Sequence, residues 1–294
     1  MKHSKSYFIL TSDGSRKTEL IKLLDSVKNV RNIYFIFVNQ SENAWYLSDE
    51  FDSRKIEYFT INANRVIPLS EARNLALDYL DSILMPEDFD NVIFSDDDCY
   101  YSPGYCSYLD SEKITDLHQM TIPVFPVLSP DDGSYFTSKG VKKISFIKEL
   151  ATSDIMFYTC SISFILPYKI VKSNRFNSNI GLGNEVNQGE ESDFLERIIS
   201  KFPLSFIYLP EIPIYHPRKT DYPVKVFYSM SYFLSHKLVS SGNKKLYLKY
   251  ACFFYLKYCF FSLFIFWNAK YRKIFRQSVL GAIDGIADIK GCFK

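Results

Sequence analysis

Three adjacent aspartates, Asp96, Asp97 and Asp98, follow a short apolar run in "NVIFSDDDCYYSPGY". Neighbouring carboxylates repel one another, so such a run is a solvated turn, a helix cap or a cation site. Alternate residues of an extended segment point the same way. Asp96 and Asp98 can therefore face one ion together while Asp97 points elsewhere. Hard divalent cations take oxygen ligands, and Mg2+ keeps positions open for substrate phosphates. An ion held here could bridge a diphosphate and offset charge growing on a leaving group. A second acidic group, Glu190, Glu191 and Asp193, follows Gly181, Gly183 and Gly189 in "GLGNEVNQGEESDF". Acidity suits a helix N-terminus, and a carboxylate so placed can also take a proton from an attacking hydroxyl. His216 in "IPIYHP" ends a strand-like run, where an imidazole can complete a metal site with carboxylates. His3, His118 and His236 have no comparable setting and read as surface or packing residues.

The elements around these residues alternate in type. Apolar runs at 6–10, 32–38, 55–61 and 91–95 read as buried strands. Leu20, Leu23, Leu24 and Val27 recur at helical spacing behind Ser15 or Thr18 as caps, and residues 70–84 form a second helix with Ser70 as cap. Strand, helix, strand, strand, helix, strand predicts a mainly parallel sheet flanked by helices. Ligands of such sheets bind just beyond the carboxyl ends of the strands, where the aspartates lie. Segments within 120–128, 145–150 and 153–167 read as further strands, residues 189–202 as a helix, and 204–217 as a strand running into proline-held extended chain.

With 294 residues, 47% hydrophobic and 17% aromatic, the chain can bury one large core or two small ones. A net charge of +2 argues against a nucleic-acid binder. From residue 241 onward, however, there are ten Lys/Arg against two Asp. The six cysteines show no CxxC pair and no zinc spacing, as expected of reduced thiols. The opening "MKHSKSYFILTSDG" has four apolar residues in a row, too few for an export signal.

Taken together, "YFILTSDGSRKTELIKLLDSV", "IYFIFVNQS", "SEARNLALDYL", "VIFSDDDCYYSPGY" and "GLGNEVNQGEESDFLERI" resemble, in order and spacing, the GT-A glycosyltransferases of the family 2 type, over roughly residues 6–218. The resemblance implies a GT-A (Rossmann-like) mixed, mainly parallel sheet flanked by helices. It implies Mn2+ or Mg2+ held by Asp96 and Asp98, with His216 placed like a late histidine near the metal and diphosphate. Thr11, Asp13, Asn39, Arg73, Asp96 and Asp97 fall at positions that bind the nucleotide-sugar, a UDP-sugar foremost. Glu191, after Glu190, stands where the family has its catalytic Asp; Glu reaches one methylene further, so Glu190 and Asp193 remain candidates. Asn39 stands where an Asp often contacts the nucleoside. A base on the acceptor side implies inversion at the anomeric carbon. The Gln-x-x-Arg-Trp signature of processive synthases is absent, since neither Trp45 nor Trp267 fits it. One sugar is then added per encounter.

Residues 1–218 are thus expected to form the catalytic domain and 219–294 a helical, basic and aromatic membrane-associating region. Residues 222–239 and 246–267 read as helices, and 250–267 is apolar apart from Lys257, with a rim of Lys244, Lys245, Lys249, Lys270, Arg272, Lys273 and Arg276. A spanning helix needs about 20 apolar residues. The segment fits a helix lying on a membrane surface better, with core or dimer packing and a true span as the other readings. The resemblance implies a saccharide or lipid-linked saccharide acceptor in O-antigen, capsule or other surface-polysaccharide synthesis. The enzyme would be cytoplasmic and peripheral on the bacterial inner membrane. Two other readings compete: a nucleotidyltransferase, for which Gly14, Arg16 and Lys17 offer a basic phosphate loop, and a non-catalytic membrane-associated sugar-binding module.

Overall fold

The four apolar runs form four parallel strands, β1 (Ser6–Ser12), β2 (Ile33–Asn39), β3 (Glu57–Asn62) and β4 (Asn91–Asp96), in a computed structural model that describes residues 4–41, 46–111, 120–135, 144–218, 223–257 and 268–291. Their spatial order is β3-β2-β1-β4, and a short antiparallel strand adds to the outer side of β4. Strands β1, β2 and β4 are apolar on both faces because each face is covered, whereas β3, expected to be buried, is a half-exposed edge strand. Phe8, Leu10, Phe35 and Phe37 meet Leu20, Leu23 and Leu24 of helix α1 (Lys17–Val27) and Leu47 and Phe51 of α2 (Tyr46–Ser53). Tyr7, Ile9, Ile36 and Val38 pack with Ala72, Ala76 and Leu77 of α3 (Leu69–Tyr79) on the other side. The period of two along each strand thus feeds two cores.

Several expectations are corrected. Helix α2 lies between β2 and β3, where the sequence shows only polar residues followed by a short segment. Its buried side chains, Leu47 and Phe51, are one turn apart, too few to mark a helix by periodicity. The helix expected over 70–84 is α-helical only to Tyr79; a π-helical turn, Leu80–Leu84, then stops it at Met85, whose φ is 44°. Ser70 does not cap α3; its hydroxyl donates to the Ile180 carbonyl. Neither Ser15 nor Thr18 caps α1, which begins behind Arg16.

Helix α4 (Pro103–Asp110) follows β5 (Tyr100–Tyr101) and is capped by the Ser102 hydroxyl. Strands β6 (Thr121–Val124), β7 (Val127–Leu128) and β8 (Lys148–Glu149) lie where strands are expected. Residues 153–167 were expected as strand and are largely not. They form α5 (Thr152–Tyr158), a 3-10 turn at Ser161–Ser163, and only then the edge strand β9 (Leu166–Pro167). Ile155, Met156 and Phe157 are buried at three consecutive positions, which a half-exposed strand does not allow but a helix wedged between core elements does. A four-residue helix, α6 (Tyr168–Val171), follows, then α7 (Glu190–Lys201). The remaining elements are β10 (Ser205–Tyr208), β11 (Ile214–Tyr215), α8 (Val224–Ser240), α9 (Lys244–Tyr255) and α10 (Ala269–Gly291). Two three-stranded sheets, β6-β10-β8 and β5-β11-β7, complete the strand pairing.

Helices α8 and α9 supply Phe233, Leu234, Leu246, Tyr247, Tyr250, Ala251 and Phe254 to the same core that holds α3, Phe94 of β4 and Phe194 of α7. Most of the apolar half of 250–267, from residue 258 on, lies outside the described residues. Among the described residues no helix is long and apolar enough to cross a membrane.

Candidate functional site

The aspartates emerge where β4 ends, and a register brings the histidine to them. Strand β11 pairs antiparallel with β5, Ile214 opposite Tyr101 and Tyr215 opposite Tyr100, and the two tyrosine rings stack with centroids 5.0 Å apart. His216, one residue on, therefore arrives beside the aspartates. Its backbone N–H donates to the Leu128 carbonyl (3.0 Å), which fixes its height. Among the described residues, Asp96, Asp98 and His216 form a group whose prospective ligand atoms all lie within 4.8 Å of one another.

The details suit a cation. His216 Nε2 is 2.9 Å from Asp98 Oδ1 and 3.6 Å from Asp96 Oδ2, while its Nδ1 lies 2.8 Å from the Pro217 carbonyl. A proton kept on Nδ1 by that carbonyl would leave the Nε2 lone pair for a bound cation; otherwise Nε2 carries a proton toward Asp98. Asp98 Oδ1 is buried and makes no well-aligned hydrogen bond, although it touches the imidazole. Two carboxylate oxygens and one imidazole form a donor set that Mn2+ accepts readily. Burial opposes charge on His216, but Asp96 and Asp98 outweigh it and push its pKa up to about 10. Burial likewise works against ionised Asp98, yet the contact with His216 holds its pKa below the usual carboxylate value. Asp97 is not one of this group, though it lines the same cleft. It accepts from the Ser12 hydroxyl (2.6 Å) and pairs with Arg16 (3.1 Å), and burial raises its pKa.

An open cleft of about 230 Å³ lies over this group. Thr11, Asp13, Asp96, Asp97, Asp98 and His216 line it, as do Ser12, Arg16, Gln40, Ile67 and Gly183. Asn39 is not among the lining residues. Its Nδ2 donates to Asn62 Oδ1 (3.0 Å) and its Oδ1 accepts from the Ser41 N–H (3.0 Å), so it braces the ends of β2 and β3. The next residue, Gln40, reaches the cleft instead, with Oε1 accepting from the Ile67 N–H (2.8 Å).

Arg73 joins the aspartates to the glutamate pair. It is 2% exposed, and its guanidinium lies 5.7 and 5.3 Å from the ring centroids of Phe94 and Phe176. Nη2 donates to Ser161 Oγ (2.7 Å) and Asp96 Oδ1 (3.3 Å); Nη1 lies 3.6 Å from Glu191 Oε1 and 4.0 Å from Glu190 Oε1 and makes no hydrogen bond. Both carboxylates come from the first turn of α7. Gly181, at φ 104°, lets the preceding loop press on them: a Cβ there would sit 2.9 Å from Glu190 Cβ. Glu190 is buried, and burial, followed by the charge of Glu191, pushes its pKa up to about 7 against the pull of Arg73. Glu191 is more open, with its side chain 27% exposed. Asp193 is engaged elsewhere, with Arg197 (3.0 Å) and Lys237 (2.6 Å). The sequence marked each acidic member of this site. Arg16, Ser12 and Gln40 carry no distinguishing sequence pattern beyond lying at or just past the C-terminal ends of β1 and β2, apart from the basic loop that Arg16 forms with Gly14 and Lys17.

No family model matches the chain, and no curated protein matches it significantly. Among solved structures, GalNAc-T7 with UDP, GalNAc and Mn2+ superposes over 89% of this chain at a TM-score of 0.51 and 11% identity. The fold is GT-A-like. The matched region covers 57% of the GalNAc-T7 chain, so this chain spans little more than half that length. A looser superposition, TM-score 0.35 at 10% identity, relates 74% of the chain to 90% of 4-diphosphocytidyl-2C-methyl-D-erythritol synthase.

Proposed function

We propose that the chain is a metal-dependent, inverting and non-processive glycosyltransferase that moves a sugar from a nucleotide-sugar, a UDP-sugar foremost, to an acceptor hydroxyl. One observation carries this reading. On a GT-A-like sheet, an Asp–Asp–His cluster at a strand end lines one cleft, and Arg73 ties it to a glutamate pair at a helix start. Asp96, Asp98 and His216 would hold Mn2+ or Mg2+, which when bound supplies positive charge for the departing diphosphate. Thr11, Asp13 and Gln40 line the part of the cleft that would take the nucleoside. Glu191, reachable from solvent, takes the proton of the attacking hydroxyl. Arg73 keeps that carboxylate in register with Asp96, so the nucleophile meets the anomeric carbon from the face opposite the leaving group.

The acceptor in this reading is a saccharide, free or lipid-linked, of surface-polysaccharide assembly, met at the inner-membrane surface. Supporting it, α10 exposes Val279, Leu280, Ile283 and Ile286 beyond a basic start at Lys270, Arg272, Lys273 and Arg276. Such a combination suits an anionic membrane surface.

The test is a panel of nucleotide-sugars with and without Mn2+, read by thermal shift and by nucleotide release. A matched donor with Mn2+ should raise Tm by ligand linkage, and Asp98→Asn should abolish the Mn2+-dependent part. Glu191→Gln should keep donor binding and lose about 10²–10⁴-fold in kcat. Release of pyrophosphate instead of nucleoside diphosphate would make the chain a nucleotidyltransferase. Binding with no turnover in any condition would make it a sugar-binding module.

A further inference from the structure

Arg16, in the turn between β1 and α1, lies across the aspartates. Its Nη1 is 3.1 Å from Asp97 Oδ1 and in ion-pair contact with Asp98 Oδ2, and its side chain is 40% exposed at the cleft wall. Asp97 is otherwise served by the Ser12 hydroxyl, and Asp98 by His216. The guanidinium therefore neutralises carboxylates that already have neutral or imidazole partners, and one of these is a prospective metal ligand. Its neighbour Lys17 is turned away, 3.3 Å from Glu50. The backbone N–H groups of Gly14 and Ser15 are also taken, by Ser12 Oγ (3.1 Å) and Asp13 Oδ1 (2.9 Å). Arg16 is thus the cation that the β1–α1 turn presents to this cleft.

We infer that Arg16 is a partner-switching residue. It balances Asp97 and Asp98 while the cation site is empty, is displaced from Asp98 when a divalent ion takes that carboxylate, and then pairs with the diphosphate of the donor. The inference rests on the donor-site reading above. A half-exposed arginine can turn with little loss of packing, and its planar fork matches a phosphate in two-pronged fashion. Removing it should therefore have two opposite effects. Mn2+ alone should bind more tightly because a competing positive charge is gone. UDP in saturating Mn2+ should bind more weakly because a phosphate partner is gone.

The experiment uses the full-length chain and two variants, Arg16→Gln and Arg16→Lys, with Mn2+ affinity read by electron paramagnetic resonance and UDP affinity by calorimetry at saturating Mn2+. For Arg16→Gln the expected results are Mn2+ bound about 3–10-fold more tightly and UDP about 10-fold more weakly, each on the scale of one partly exposed or charge-assisted contact. Arg16→Lys, which keeps the charge but not the fork, should restore Mn2+ affinity to within about two-fold of the unaltered chain and recover UDP affinity only in part. Unchanged or weaker Mn2+ binding in a folded Arg16→Gln protein overturns the inference. So does tighter Mn2+ binding with UDP affinity unaltered. If the unaltered chain binds no Mn2+, the donor-site reading itself fails, a result distinct from failure of the Arg16 switch.

Discussion

Glu190 and Glu191 are neighbours in sequence in unlike surroundings, and the difference can be measured. Glu190 is buried and has its pKa raised from 4.5 to about 7 by burial first and by Glu191 second. A carboxyl whose folded pKa exceeds its unfolded value favours the protonated form in the native state. Its contribution to stability is complete below about pH 4.5 and is lost as pH rises through 7. The loss is on the order of 3 kcal/mol for such a shift. Glu190→Gln removes the titration but keeps the shape, so the Tm of this variant relative to the unaltered chain should climb steadily from pH 5 to pH 8. At about 2–4 °C per kcal/mol in a chain of this size, the climb is several degrees; a flat difference in melting scans would show that Glu190 is not held neutral. At this scale the acidic residues were legible because their chemistry is unusual at strand and helix ends. Arg16 and Gln40 were not, since what makes them part of the site is where β1 and β2 stop, and no local pattern records that.

Helix α7 is held in place by α8, and this is where element-scale reasoning adds to the site. Gly189, just ahead of Glu190, has φ 99° and lies so close to Phe233 of α8 that a Cβ there would come within 2.5 Å of the ring. One to two turns along, Lys237 of α8 donates to Asp193 (2.6 Å) and Glu196 (2.7 Å), Tyr247 of α9 donates to Glu196 (2.9 Å) and to the Ser192 carbonyl (3.1 Å), and Ser241 also donates to Glu196. Burial disfavours charge on Lys237, but Asp193 and Glu196 overcome it and raise its pKa. Lys237→Met would leave buried Glu196 without its cation and Asp193 with Arg197 alone, a loss of about 3–5 kcal/mol, and would loosen the turn that carries Glu190 and Glu191. Hydrogen exchange should report faster amide exchange in the first turn of α7, with β1 and β4 unchanged. Nucleotide-release assays should show kcat falling while donor affinity holds. Equal loss of donor affinity would mean that the lock supports the whole fold and not the catalytic helix. The sequence showed α7 and α8 plainly as helices. Their lock was illegible because it joins residues some 40 positions apart through burial. Helix α2 and the helical nature of α5 were illegible for a different reason: one had two apolar positions, and the other an unbroken apolar run that strand and helix share.

The mainly parallel sheet, though not its order β3-β2-β1-β4, follows from apolar runs alternating with helices, and with it the location of the cleft at the strand ends, so the half of the molecule that places the aspartates was readable in outline. His216 was a named candidate, but the pairing that delivers it was not readable, because β11 reaches the aspartates through the two-residue strand β5, which no periodicity can announce. The same long-range closure bears on where the folding unit ends. Phe233, Leu234, Leu246, Tyr247, Tyr250, Ala251 and Phe254 belong to one cluster with Phe94, Phe157, Phe176 and Phe194. Phe157 meets Tyr250 and Phe253 edge-on, at centroid distances of 5.4 and 5.9 Å. Beyond them, α10 lies against α8 so closely that Cβ atoms at Gly281 and Gly285 would meet the Tyr228 and Tyr232 carbonyls at 2.2 and 2.3 Å, while Tyr228 donates to Asp284 (2.9 Å) and Tyr232 to Asp288. Burying a large side chain is worth about 1.5–3 kcal/mol, and several would be bared at once by cutting after Arg218. That is comparable with the 5–15 kcal/mol that holds a domain folded, before the loss of Lys237 from Asp193 and Glu196 is counted. A fragment of residues 1–218 should therefore keep helical circular dichroism but lose its cooperative urea transition and bind hydrophobic dye, whereas a fragment ending at residue 257 should retain a transition at reduced midpoint. A sharp, native-like transition in the shorter fragment would instead place the domain boundary at Arg218 and reduce the C-terminal helices to an appendage.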